Sequence, residues 1–220
     1  SEHKREPSPQ KLMAKIMWGE TADFKHEGGL SAQVSDWNQA PADVQQILAK
    51  VRGPLATPYT ADAMNLSAFS GDPTQIPLLF FSGSRTIKFD EKQIELIRNY
   101  VMRGGVVFGD AVIGSPHFVE SFKKAMEQAF PEQPWRVVPE DHPIYHMVTD
   151  VNTVRFPRNL KSDKPVLEAM YVFSRLAVVV SKYGLGCGWD NREPWLTDEL
   201  KSKAIYYDPE SASKIGMNLM

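Results

Sequence analysis

The stretch 96–114, LIRNYVMRGGVVFGDAVIG, constrains the fold most: an amphipathic helix ends in Gly104-Gly105, a short apolar strand follows, and that strand closes on Asp110. A helix that feeds its chain straight into an apolar strand is one αβ half of a parallel-sheet unit. Open sheets of this kind place their ligands at the carboxyl ends of the strands. An acid at this strand end therefore marks a place for chemistry without naming a reaction.

The same rhythm runs along the chain. The segment 12–18 reads as a first strand, and 42–51 as a helix opened by Pro41 near its first turn and closed by Gly53. Between them, 19–39 is too long and polar for an ordinary connection and is expected to be a functional loop or an added hairpin. The run 76–82 is almost continuously apolar, as a strand covered on both faces must be, and is expected at the centre of the sheet. Asp90 and Gln93 form a capping-box pattern, with Ile94, Ile97 and Val101 recurring on one helical face behind it.

After the strand 106–108, Ser115-Pro116 starts a helix whose buried stripe is Phe118, Phe122, Ala125 and Ala129, ended by Pro131. A short strand at 135–138 follows. The segments 167–172 and 176–181 read as an antiparallel pair around the turn Phe173-Ser174-Arg175, added to the parallel core. The closing SASKIGMNLM reads as a helix cut in mid-pattern. The expected fold is α/β: a mostly parallel open sheet with helices on both faces and added antiparallel strands. Because successive crossovers usually set strands side by side, 76–82 and 106–108 should be neighbouring central strands.

Composition sets the outer limits. With 220 residues, 42% of them hydrophobic, the chain supplies one core, hence a single domain over 12–220 behind a polar segment, 1–11. The segment SEHKREPSPQ fits a linker left when an export signal is removed. Its 25 basic residues are balanced by 27 acidic ones, which removes any general drive toward nucleic acid. The longest apolar run, 176–180, is strand-sized, so no membrane insertion of this segment is expected. A sole cysteine, Cys187, allows no intramolecular disulfide and leaves the compartment open, the cytoplasm included.

Several groups carry candidate chemistry. His142 and His146 stand four apart in DHPIYH, so a helical turn would put both imidazoles on one side, where Asp141, Asp110 or Cys187 would complete a metal site. The preferred reading is plainer: Asp141 caps a turn beginning at Pro143 and His146 fills a polar hole, so no metal and no cofactor is expected. Cys187 lies among the glycines of GLGCGW, which permit close approach of another group. A lone cysteine is nevertheless more often a small buried hydrophobe than a nucleophile.

Trp189 with Asp190 offers a platform for a sugar or peptide, or simply covers a sheet edge. Gly83-Ser84-Arg85 resembles a turn that presents N–H groups and a guanidinium to an anion. The signatures GxxxxGK[ST], GxGxxG and GxSxG are missing. Asp110, Ser84 and the DHPIYH segment are expected to line one shallow cleft at the strand ends.

The segments PLLFFSG (77–83), GVVFGDAVIG (105–114), DHPIYH (141–146), RLAVVVSKYGLGCGWD (175–190) and KIGMNL (214–219) resemble, in this order, the bacterial family called domain of unknown function 4159. The likeness extends over roughly 12–220. It implies a fold similar to class I glutamine amidotransferases and a periplasmic or secreted, cell-envelope or assembly setting. Through gene neighbourhoods it also implies MoxR-type ATPases or von Willebrand-type proteins as partners. Two positions depart from the family pattern. A Gly-His pair is usual where this chain has Gly83-Ser84, and an Asp-Asp pair where it has Asp110-Ala111.

Three functional classes follow. The first is a non-catalytic ligand- or protein-binding and assembly domain, favoured because an amidotransferase needs a thiolate at the strand-end elbow, where this chain has Asp110-Ala111. No glutaminase activity is expected. The second is a hydrolase, metal-assisted or not, using Asp110, His142 and His146. The third is thiol chemistry at Cys187.

Overall fold

Along one central strand the side chains alternate between two cores: Leu79 and Phe81 join one hydrophobic cluster, Leu78 and Phe80 the other. That alternation requires cover on both faces of the sheet, which is why the strand is apolar throughout. The computed structural model describes residues 8–26 and 28–220. Most of the expected linker, 1–7, lies outside the described residues.

In chain order the elements are β1 (Gln10–Ile16), the hairpin strands β2 (Thr21–Lys25) and β3 (Ser31–Ser35), helix α1 (Asp43–Leu55), β4 (Tyr59–Met64), β5 (Leu78–Gly83), α2 (Glu91–Met102), β6 (Val106–Ala111), α3 (Pro116–Ala129), β7 (Arg136–Val137), β8 (Glu168–Val172), β9 (Arg175–Ser181), the short α4 (Gly186–Asp190) and α5 (Pro209–Leu219). Helices α2 and α3 cover one face through Ile97, Val101, Phe118 and Phe122. Helices α1, α4 and α5 cover the other through Ile47, Trp189 and Ile215.

The seven-stranded sheet has the order β4-β1-β5-β6-β9-β8-β7. Its first five strands in space run parallel, with β5 and β6 adjacent at the centre as expected, and β8 and β7 complete it antiparallel. The parallel strands follow the flavodoxin-like order, in which the chain winds one way from β1 to β4 and the other way from β5 onward. The winding reverses between β1 and β5, and ligands of such sheets bind in the crevice at that switch point.

The long segment after β1 is the added hairpin of the two alternatives. Its strand β2 also exchanges backbone hydrogen bonds of 2.7 Å between Lys25 and Leu196, so it is held from both sides. The capping box at α2 is present: Asp90 accepts from the Gln93 N–H at 2.8 Å, and the Gln93 side chain accepts from the Asp90 N–H at 2.9 Å. The β8–β9 turn puts Phe173 and Ser174 at φ 50° and 62°, the primed geometry that matches strand twist.

Some expectations are corrected. Only β8 of the 167–181 pair is an antiparallel addition, since β9 pairs parallel with β6 and is the fifth strand of the core. The edge strand β4 was not anticipated, because its sequence YTADAM carries neither an apolar run nor clean alternation. Helix α1 passes Gly53 and Pro54 and ends where Ala56 turns left-handed, at φ 51°, with its N–H bonded to the Gly53 carbonyl. Strand β1 starts at Gln10, inside the expected linker, and β6 runs one residue beyond Asp110.

A Cβ at Gly184 would run into the Val112 carbonyl, part of the backbone that follows β6. Gly184→Ala should therefore destabilise the protein by about 3 kcal/mol, against about 1 kcal/mol for the exposed cap change Asp90→Ala. Urea denaturation of the two variants checks the ranking, and equal midpoints would contradict it.

Candidate functional site

The end of β6 carries Asp110 into a closed space. The residue is 0% exposed, and both carboxylate oxygens accept backbone N–H groups, Leu185 at 2.9 Å and Gly186 at 2.7 Å, where β9 gives way to α4. Gly186 leaves the carboxylates room, because a Cβ there would lie 3.0 Å from Asp110 Oδ2 and 3.2 Å from Asp43 Oδ2, tighter than ordinary contact. Two buried carboxylates thus converge on one small backbone.

Asp43, at the start of α1, is ion-paired at 2.8 Å with Lys15 of β1, whose ammonium also donates to Asn38 Oδ1 and the Ala40 carbonyl. Asp43 Oδ2 has no hydrogen-bond partner. Burial pushes the Asp43 carboxyl up, opposed by Lys15. Cys187 is 4% exposed, with its thiol donating to the Val112 carbonyl at 3.2 Å. Burial, reinforced by the neighbouring Asp110 charge, pushes that thiol well above its ordinary range. A hollow of about 260 Å³ reaches Cys187, but no histidine among the described residues lines it. A thiol so disfavoured from ionising, without a base, is a poor nucleophile.

The open site lies elsewhere at the same end of the sheet. A crevice of about 380 Å³ is walled by residues 16–21 after β1, Asn65 and Ser67 after β4, and Lys88, Phe89 and Gln93 at the entry to α2. It sits at the switch point between β1 and β5. The added hairpin shapes it, since the cross-strand pair Thr21 and Ser35 and the following Trp37 form one side. Trp18 forms the floor, held by its indole N–H donating to the Ser82 carbonyl at 2.8 Å and by its packing on Phe118. Gly83 lets it approach, because any Cβ there would collide with the indole.

The residues singled out from the sequence divide between these places and others. Asp110, Cys187, Trp189 and Asp190 gather around α4, but all are buried. Trp189 is no platform: its indole N–H donates to the Ala212 carbonyl at 2.7 Å, and its ring lies against Phe80 and Phe108. The anion turn is spoken for as well. Arg85 pairs with Asp36 through two contacts, 2.8 and 3.1 Å, and the Ser84 hydroxyl receives the Gln39 amide at 2.8 Å.

The DHPIYH segment does not join the strand-end group. His142 rests edge-on against Tyr171, which pairs with Leu176, five residues before the Asp110 partner Ser181 on β9, or about 16 Å along the strand. The turn's cap is His142, whose Nδ1 accepts from the Ile144 N–H at 3.1 Å, rather than Asp141, which is exposed. His146 pins its loop between Asp150 and the Glu140 carbonyl, at 3.1 and 3.0 Å. Among the described residues, no group of three or more His, Cys, Asp or Glu side chains is placed to hold a metal. No helix among them is long and apolar enough to cross a membrane.

A family model described as a domain of unknown function, DUF4159, matches residues 24–220. The chain belongs to this family. No curated protein matches the sequence. In this DUF4159 member, Ala111 and Ser84 are both closed. Ala111 is 0% exposed, and Ser84 is 1% exposed, its carbonyl accepting the Ser115 hydroxyl. The sequence marks one side of the crevice, the segment 19–39, but not the crevice itself, because its walls come from four separated segments, none of which forms a motif alone.

Burial raises the Asp110 carboxyl from 3.8 to about 7; the two N–H donations oppose this, Asp43 adds to it, and Lys15 opposes it. Between those values the folded protein keeps a proton that the unfolded chain has released. Unfolding therefore releases a proton, and stability falls as pH rises through this window, by at most about 1.4 kcal/mol per pH unit. Asp110→Asn removes that contribution. Urea denaturation at about pH 5 and about pH 8 should show a smaller loss in the variant than in the wild type. A wild type no more pH-dependent than Asp110→Asn over that range would contradict the assignment.

Proposed function

We propose that this chain is a non-catalytic ligand-binding domain on an amidotransferase-like scaffold, with its ligand entering the crevice between β1 and β5. The observation that carries this reading is the division of the strand ends into a sealed half and an open half. The groups able to do chemistry are buried and held internally: Asp110 by two backbone N–H groups, Asp43 by Lys15 through Oδ1, and Cys187 by the Val112 carbonyl. The open half stands where doubly wound sheets bind ligands and, among the described residues, is lined by neither a cysteine nor a histidine.

The scaffold assignment is supported by the strand order and by the family resemblance. At the place of the elbow, the chain has a carboxylate facing inward and an alanine. Attack by Asp110 on an amide would give an anhydride, at the cost of disturbing the hydrogen bonds from Leu185 and Gly186 that hold the residue. The hydrolase reading with Asp110, His142 and His146 requires groups that lie toward opposite ends of β9. An envelope setting, with MoxR-type ATPases or von Willebrand-type proteins as the partners served by the binding domain, completes the proposal on the strength of the resemblance.

The purified protein should release no ammonia from glutamine and hydrolyse no p-nitrophenyl ester beyond the level of Cys187→Ala or Asp110→Asn. In the native protein Cys187 should react with iodoacetamide only as the fold opens, and Cys187→Ala should cost about 1 kcal/mol. Glutamine-dependent ammonia release by the wild type, lost in Cys187→Ala with circular dichroism unchanged, would overturn the reading.

A further inference from the structure

We infer that the crevice between β1 and β5 binds a neutral saccharide. This rests on the ligand-binding reading above and adds the class of ligand. Charge is the first argument. Among the described residues, one acid, Glu20, and one base, Lys88, are the ionisable groups that line the crevice, so the charges on its walls balance; the Lys15 ammonium behind the Trp37 ring, 5.6 Å from its centroid, is itself paired with Asp43.

The devices by which such a site would take an anion are already used. The Arg85 guanidinium is closed onto Asp36, which also accepts the Glu20 N–H at 2.9 Å. The first turn of α2 is closed by Asp90, whose carboxylate occupies the place an anion would take. The chain leaving β1 enters a hairpin, so no helix N-terminus follows that strand as it does in phosphate-binding α/β sheets. A cation fares no better, since Asp36 is spent on Arg85 and Glu20 is the only acid left.

What remains on the walls is aromatic or neutral and polar. Trp18 and Trp37 are half-buried, with exposed Asn65, Ser67 and Thr21 around them. The amide nitrogen of Gln93 remains available, because only its oxygen serves the capping box. A pyranose matches this pairing of surfaces: its C–H faces carry slight positive charge and meet the negative face of an aromatic ring, while its hydroxyls both donate and accept to amides and hydroxyls. A volume of about 380 Å³ suits a small ligand of this kind.

The test is isothermal titration, with indole fluorescence recorded alongside, of maltose, cellobiose and diacetylchitobiose beside glucose 6-phosphate and inorganic phosphate. At least one neutral saccharide should bind with a dissociation constant below about 1 mM, and Trp37→Leu and Asn65→Ala should each weaken it about tenfold. Asn65 is exposed, so its variant keeps the test decisive if Trp37→Leu fails to fold. Preferential binding of the anions, lost in the same variants, would overturn the saccharide and leave the crevice standing. Saccharide binding untouched by either variant would overturn the crevice. Absence of binding by all three neutral saccharides would overturn the proposal.

Discussion

The clasp of the Asp110 carboxylate on the Leu185 and Gly186 amides holds the carboxyl end of this sheet together. It spans the seam between β6 and the chain leaving β9, and it fixes the start of α4, a helix too short to hold itself in place. From there the constraint spreads: Trp189 of α4 packs beneath Phe80 and Phe108 and donates to Ala212, which ties α4 to α5. The glycines of 184–188 follow from the same closeness, since a Cβ on Gly184 would meet Val112, one on Gly186 the two carboxylates, and one on Gly188 the methyl of Ala212 at 2.5 Å. A motif that reads like a reactive loop is thus a packing device.

This explains how a strand-end acid can stand where α/β enzymes keep their chemistry and yet serve structure. A carboxylate that touches no water and gives each oxygen to a backbone N–H group is held in place and closed off from a substrate. Its burial is costly, and two charge-assisted hydrogen bonds with a nearby Lys15 offset part of that cost. The crevice beside it has the opposite character: open, close to neutral, and built by an insertion. The hairpin that interrupts the usual strand-to-helix connection after β1 is what gives it a wall.

Much of the fold was legible in the sequence because each parallel crossover carries redundant signals. The capping pair Asp90 and Gln93, the Phe118 to Ala129 stripe and the apolar run of β5 all reappear where the periodicity puts them. What was not legible depends on partners distant in the chain. Strand β4 is specified by its pairing with β1 rather than by its own residues, and β9 looks like half of a hairpin until β6 is beside it. The cap of the 143–145 turn fell to His142 rather than to Asp141, because an imidazole nitrogen accepts an N–H as readily as a carboxylate does. The site residues were seen as types, and the sequence could not show that Asp110 and Cys187 face inward while Trp18 and Trp37 face a crevice.

Amide hydrogen exchange at Leu185 and Gly186, resolved by NMR, tests the central claim most directly. If Asp110 is a structural clasp, both amides should exchange only with global unfolding, as slowly as amides in the middle of β6, and Asp110→Ala should release them by orders of magnitude. Exchange of these two amides as fast as in an open loop, in a wild-type protein whose β6 stays protected, would mean that the carboxylate is free and available for chemistry, and would contradict this account.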